Sequence, residues 1–347
     1  MRTTYIIGAG ASKAVWGFPV MKGFLRDWKK ETDGPDNEDG RCLESYLRER
    51  FGPNPQDANL EDVLSDLDQS IHGLGGVWYG SEGHALRLRA LAIQRALIEF
   101  IRGRLTLPDT LAEGSIAAYD KVFEGFKSGD TVVTFNYDIG IETYAQRKRD
   151  PSNSEDDPFI AMLQGRSGIL GDIVTRGQQY GLMAREYASL LLKLHGSVDF
   201  RCCGNPACPV RASIYAPSFR SGERGPDAQC KCCGADFETV IIPPTMAKSF
   251  ERFPKLTLLW RVAEKAIQEA ERLVVWGFSC PDSDHHVRWL LRACRGIGGK
   301  PPTLKAADVI DPEHERVIDR LRCLVGAEGS ATWRGFETHE AYCPPEG

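Results

Sequence analysis

The chain lacks any apolar run that approaches the roughly 18 residues a membrane-spanning helix needs. It does not open on a charged-then-apolar leader, because Tyr5-Ile6-Ile7 is too short to serve as one. Cytoplasm is therefore the expected compartment, with no membrane association. An excess of positive charge is also missing. Lys and Arg total 43 against 48 Asp and Glu, a formal net charge of -5. That balance argues against non-specific coating of nucleic acid as the main activity. No internal repeat and no low-complexity segment is present. A chain of 347 residues then leaves one large domain with insertions, or two modest domains.

Hydrophobic residues are plentiful, at 42%, so a sizeable core is expected without disulfides. Cysteines number 11, and six of them (Cys202, Cys203, Cys208, Cys230, Cys232, Cys233) fall within 32 positions. Clustered cysteines in an intracellular chain point to metal rather than to disulfides.

Along the chain, Thr3 to Ile7 reads as a buried strand, followed by a helix through Ser12-Lys13-Ala14-Val15 and a break at Gly17-Phe18-Pro19. Val20 to Trp28 is expected to resume as a helix, and residues 31–40 form a polar acidic loop. Residues 41–128 look helical. Leu60, Val63, Leu64, Leu67 and Ile71 recur at helical spacing behind Asn59 as N-cap, with Asp62 at its N3 position. A later helix carries Arg87, Arg89, Arg95, Arg102 and Arg104 against the single acid Glu99. Such a stripe reads as a solvated or inter-helix face, or as a partner surface. Strands are then expected at 131–135, 189–194, 239–244, 272–278 and 304–311. Helices intervene, around 255–270, behind a Ser283 cap, and from Pro312 to about Leu324. Apolar strands alternating with helices indicate an α/β, Rossmann-like parallel sheet with helices on both faces.

In such a sheet, ligands bind beyond the carboxyl ends of the strands. Those ends carry Gly8-Ala9-Gly10-Ala11-Ser12, Asn136-Tyr137-Asp138, His195, Gly277-Phe278-Ser279 and Asp311. Gly8 and Gly10 permit a tight turn, with backbone approaching a pyrophosphate and helix amides facing an anion; Ser12 adds a hydroxyl. The third glycine of GxGxxG is absent, since Lys13 stands there. Asn136 can hold a ribose hydroxyl or a water, and Asp138 can accept from a carboxamide; both can equally cap a helix beginning near Ile139. His195 follows a buried strand and precedes a glycine, which places it poorly as a packed core histidine. A general base fits it, with a capping or structural histidine as the other reading. His285 and His286 sit side by side, about 100° apart on a helix, and do not readily chelate one ion.

Cys203-x4-Cys208 and Cys230-x2-Cys233 form two knuckles, with Gly204 and Gly234 giving the chain room to turn. Four thiolates suit a tetrahedral structural zinc with a closed shell. Cys202 and Cys232 are neighbours that could substitute.

Taken together and in order, GAGAS (8–12), TFNYD (134–138), LHGS (194–197), a four-cysteine insertion and GFS (277–279) resemble the sirtuin-like group of bacterial NAD-consuming proteins. The similarity covers most of 1–30 and 130–325; residues 36–128 stand apart as a helical insertion, and 199–238 as a zinc-ribbon module, within one Rossmann-type domain over 1–347. The resemblance implies roles. Gly8, Ala9, Gly10 and Ser12 would cradle NAD. Asn136 would organise the nicotinamide ribose and a water, Asp138 would grip the carboxamide, and His195 would act as base. Gly277 and Ser279 would contact the nucleotide, and Asp311 the adenosine ribose. The implied reaction is cleavage of the C1′–nicotinamide bond. Two departures bear on the nucleophile. Phe135 stands where sirtuin deacylases usually carry Gln. Pro243-Pro244 remove two backbone donors where an acyl-lysine peptide would pair. Water is then the expected nucleophile, making the chain an NAD hydrolase. The alternatives are a protein-lysine deacylase or ADP-ribosyltransferase, and a non-catalytic NAD-binding assembly subunit. The resemblance also implies an NAD-depleting role in bacterial antiphage defence, a homo-oligomer, and a partner such as a HerA-like ATPase ring.

Overall fold

The computed structural model describes residues 1–26, 38–72, 81–107, 113–150, 152, 157–163, 189–215, 229–242, 253–281, 284–295, 303–326 and 331–344. Pro243, Pro244, Ser283 and most of the acidic stretch 31–40 lie outside them. In chain order the strands are β1 (Thr3–Ile7), β2 (Thr131–Thr134), β3 (Leu190–Lys193), β4 (Gly196–Cys203), β5 (Phe237–Ile241), β6 (Arg272–Trp276), β7 (Ala306–Ile310) and β8 (Thr332–Phe336). The α-helices are α1 (Ala9–Trp16), α2 (Glu38–Phe51), α3 (Leu60–His72), α4 (Ser81–Arg104), α5 (Glu113–Val122), α6 (Gly140–Lys148), α7 (Pro254–Gln268), α8 (His285–Leu291) and α9 (His314–Val325).

The described residues divide into two compact units. The first comprises residues 1–17, 107–240 and 249–347. Its sheet runs β3-β2-β1-β6-β7-β8, and each neighbouring pair is parallel. The strands β1, β2, β3 and β6 are buried at every position, as a sheet covered on both faces requires. On one face Tyr5, Ile7, Val132, Val274 and Trp276 pack against Tyr119 and Val122 of α5 and Ile141 and Tyr144 of α6. On the other, the Thr4 hydroxyl donates to the Ala266 carbonyl of α7 at 3.1 Å. The chain builds outward from β1 through β2 to β3, then returns to place β6 on the opposite side of β1. The strand order therefore reverses between β1 and β6, where an open α/β sheet forms its crevice.

Several local features differ from the sequence reading. The described part of the apolar run expected at 239–244, residues 239–242, does not join the main sheet. It supplies β5, which pairs with β4 in a separate two-stranded sheet. The cysteine knuckles lie between these strands, and the Gly204 amide bonds the Asp236 carbonyl at 2.9 Å to close the module at its base. Neither β4 nor β8 was expected, because polar residues interrupt both runs. Residues 21–26 turn instead of continuing a helix, since Gly23 takes a left-handed φ of 86°. The helix α9 begins at His314 rather than Pro312; Asp311 Oδ1 accepts the Glu313 amide at 2.9 Å and shapes the turn before it.

The second unit comprises residues 18–106 and 241–248. Leu60, Val63, Leu64, Leu67 and Ile71 form the buried stripe of α3. Asn59 Oδ1 accepts the Glu61 amide at 3.0 Å, as an N-cap does. Part of the arginine stripe is engaged within the unit: Arg89 pairs with Glu49 at 3.0 Å and Arg102 with Glu99 at 3.1 Å.

Candidate active site

The β2–α6 loop carries Asn136 and Asp138, and the structure joins both to Ser12 of α1. Asn136 Nδ2 donates to the Gly8 carbonyl at 2.9 Å and to Ser12 Oγ at 2.8 Å. A carbonyl only accepts, so this end of the amide must be the nitrogen. Asn136 Oδ1 takes no hydrogen bond from the described residues and is open to a hydroxyl or a water. Ser12 Oγ in turn donates to Asp138 Oδ2 at 2.7 Å. Asp138 Oδ1 accepts the amide of Gly140, the first residue of α6, at 2.9 Å. Asp138 thus serves the helix start and the network together. Asn136 and Asp138 are 8% and 5% exposed, and buried polar groups of this kind are generally held by hydrogen bonds such as these. Beside them, burial first and then the Asp138 carboxylate push the Tyr119 phenol well above its ordinary range, so it stays neutral.

The two glycine turns meet at the strand-order reversal. Gly10 donates its amide to the Gly277 carbonyl at 2.8 Å, and Gly8 donates to Trp276 at 2.9 Å. A Cβ on Gly8 would stand 2.4 Å from the Gly277 oxygen. One on Gly277, whose φ is 61°, would stand 2.0 Å from the Ala11 nitrogen. The close approach these glycines permit is to each other's backbone. The Gly10 and Ala11 amides are both occupied internally, Ala11 by the Gly8 carbonyl at 3.0 Å.

His195 corrects one expectation. It is packed, at 3% exposure, with its ring centroid 5.3 Å from that of Phe135 and 6.0 Å from that of Trp260. Phe278 adds to this aromatic wall, 5.0 Å from Phe135. The Trp260 indole donates to the Leu194 carbonyl at 3.1 Å and so pins the residue before the histidine. What separates His195 from an ordinary core histidine is Asp284. Its Oδ2 lies 3.5 Å from His195 Nε2, and its Oδ1 accepts the Val287 amide at 3.2 Å as the N-cap of α8. An imidazole backed by a buried carboxylate has its tautomer and orientation set. The sequence reading passed over Asp284 in favour of its neighbours His285 and His286; the signal available was an Asp three residues ahead of Val287, at a helix start.

Ser279 and Asp311 stand apart from this network. Ser279 is exposed, and its carbonyl accepts from Arg320 at 3.1 Å. Asp311 sits at the end of β7, bonded through its amide to the Phe336 carbonyl at 2.9 Å. Ala9 is half-buried at the start of α1.

Elsewhere in this unit, Cys203, Cys208, Cys230 and Cys233 bring their sulfurs within 4.8 Å of one another. Tetrahedral zinc with Zn–S bonds of about 2.3 Å spaces its sulfurs by roughly 3.8 Å. The Cys203–Cys233 and Cys208–Cys230 separations of 3.4 and 3.9 Å fit that spacing. Burial pushes the Cys208 thiol well up, so the four thiolates need a cation to coexist. Cys202 and Cys232 fall outside the group. The residues present therefore fit a zinc whose shell they would close, which supplies cross-linking and no open coordination position.

Neither protein-family models nor curated proteins give a match to the chain. Among solved structures, the chain is similar to a Sir2 homologue in complex with NAD, at 12% identity, over 97% of this chain and 84% of that one, with a TM-score of 0.41. It is similar to a Sir2 protein with a deacetylated p53 peptide and 3′-O-acetyl ADP ribose, at 13% identity, over 97% and 89%, with a TM-score of 0.38. A Sir2 homologue in complex with 2′-O-acetyl ADP ribose shows 12% identity, over 94% and 93%, with a TM-score of 0.40.

Proposed function

We propose that the chain hydrolyses NAD at the C1′–nicotinamide bond, releasing nicotinamide and ADP-ribose. The observation that carries this reading is the convergence of Asn136, Ser12, Asp138 and the His195–Asp284 pair at the carboxyl ends of β2 and β3, beside the strand-order reversal. Breaking this bond builds positive charge at C1′. Lys193 and Glu142 pair with each other 2.9 Å apart, and the buried Asp138 and Asp284 side chains stand beside Ser12 and His195. Fixed negative charge aimed at a developing cation is the largest kind of contribution a site can make. Asn136 Oδ1 accepts from a ribose hydroxyl or the attacking water. His195, with Nε2 3.5 Å from Asp284, takes the proton. Asp138 keeps lone pairs for the nicotinamide carboxamide, and Gly8 to Ser12 with Gly277, Ser279 and Asp311 line the path for the rest of the dinucleotide.

The resemblance to sirtuin-like defence proteins supports an NAD-depleting effector in the cytoplasm, acting as a homo-oligomer or with a HerA-like ATPase ring. The cysteine module holds a structural zinc. Elemental analysis should find one ion per chain, and disulfides in the cluster would remove it. The main test is chromatography of NAD products with and without an acyl-lysine peptide. ADP-ribose in both reactions is expected. O-acyl-ADP-ribose formed only with peptide would replace hydrolysis by deacylation, and tight NAD binding without turnover would leave a binding subunit.

A further inference from the structure

Lysine is an unusual end for a strand buried at every position. Lys193 is 1% exposed, and its ammonium lies 2.9 Å from Oε1 of Glu142 on α6, which is fully buried. The ammonium also donates to the backbone carbonyl of Asp138. On the other side of the histidine, Ser197 Oγ donates to the Tyr137 carbonyl at 3.2 Å, and the Val198 amide reaches the same oxygen at 2.9 Å. The residues two before and two after His195 thus grip consecutive carbonyls of the Asn136–Asp138 loop. A buried ion pair is weak evidence for stability, because an apolar pair of similar volume often holds a fold as well or better. Here the ammonium does what no apolar side chain can do: it bonds a loop carbonyl beyond the end of the β2–β3 ladder.

We infer that Lys193, supported by Glu142 and joined by Ser197, is a positioning residue that fixes the distance between His195 and the Asn136–Asp138 loop. The inference rests on the NAD-cleaving reading for its kinetic consequence, but not for its structural one. The bond-breaking groups come from two separate segments, the β2–α6 loop and the β3–β4 turn. Their spacing has to be held within a fraction of an ångström, since a misplacement of about 1 Å can cost on the order of 100-fold in rate.

The test removes both charges together, with Lys193→Met/Glu142→Leu, so that no buried carboxylate is orphaned. The full chain is compared with this variant by NAD turnover, thermal midpoint and hydrogen exchange of the peptide spanning 135–140. Expected is a fall in kcat of roughly 100-fold with KM within about threefold, faster exchange confined to that peptide, and a midpoint close to the parent's. A variant that keeps parental kcat and parental exchange overturns the inference, and so does one that loses stability throughout the sheet but regains kcat once folded. Ser197→Ala is the second variant, since deleting one hydroxyl needs no repacking. It should loosen the same peptide and lower kcat several-fold, and unchanged exchange and turnover would likewise overturn the inference. If the parent itself does not cleave NAD, the hydrolase reading fails on its own, and the exchange measurements alone decide the positioning role.

Discussion

The two ends of the same parallel sheet both bury charge, yet they differ in what the charge is free to do. At the amino end, Asp308 is 1% exposed and receives Arg272 through Nε at 2.9 Å and Arg334 through Nε at 2.7 Å. Arg272 also reaches the Tyr342 hydroxyl at 2.7 Å. Asp130 accepts the amides of Thr3 and Lys127 at 2.8 and 3.1 Å. Asp308 and its partners tie β6, β7 and β8 to Tyr342, and Asp130 ties the start of β2 to β1. At the carboxyl end the bonds among Asn136, Ser12 and Asp138 leave an amide oxygen open, and an imidazole faces aromatic rings with a carboxylate behind it. Buried charge alone does not mark a site. What the proposed site adds is an amide oxygen near the His195–Asp284 pair.

The sharpest way to break this contrast is Asn136→Ala. Nicotinamide release should fall by about 10²–10⁴-fold, the usual loss for a positioning or acid–base group, while the thermal midpoint stays near the parent's. Parental turnover would place this end of the sheet with the other. The converse variant is Asp308→Ala. It strands two guanidinium groups, and removing one partner of a buried pair costs about 3–5 kcal/mol. Urea unfolding should register that loss in full, whereas kcat of the folded fraction should hold; a fall in kcat at constant stability would mean that the two ends communicate.

Asp284→Asn is expected to be milder. It keeps an acceptor for the Val287 amide but turns a neutral group to His195, so kcat should drop by roughly 10–100-fold with the acid limb of its pH profile displaced. An unmoved profile would reduce Asp284 to a helix cap. The smallest effect belongs to Asp130. Burial raises its carboxyl above the ordinary range, against the Thr3 and Lys127 amides, which lower it. A raised value means that the folded chain holds this proton to higher pH than the unfolded one does. Stability from Asp130 therefore falls as pH rises from the ordinary carboxylate range through the raised value, and then levels. Urea midpoints of the parent and Asp130→Asn, compared between roughly pH 4 and pH 7, should show the variant gaining relative to the parent as pH rises. A constant difference would assign the residue to hydrogen bonding alone.

Much of the carboxyl end was legible because each apolar strand stops on a small or polar residue, and parallel strands bring those stops to one side. Ser12, Asn136 and Asp138 were found that way and proved to be bonded together. Groups that act from behind the strand ends were not legible. Lys193 looked like part of an apolar run, and Asp284 approaches His195 only because α8 begins beside the β3–β4 turn. The strands β4 and β8 went unread since alternation of polar and apolar residues over so few positions is a weak signal. The purpose of Gly8 and Gly10 was legible only in part. The sequence reading gave them a tight turn whose backbone approaches a pyrophosphate; the structure adds that both pack against Gly277, which is 269 residues from Gly8 in the chain.

That glycine contact has a consequence for any survey of tolerated substitutions. Positions 8, 10 and 277 should be as intolerant as Asn136 in a selection for activity, though for a different cause. A methyl group at any of them would wedge β1 and β6 apart at their carboxyl ends, and the chain would be lost to misfolding before catalysis was sampled. Intolerance at these glycines therefore says nothing about what the crevice binds. A screen that scores soluble yield alongside activity would separate them, with the glycines failing both scores and Asn136 failing only the second.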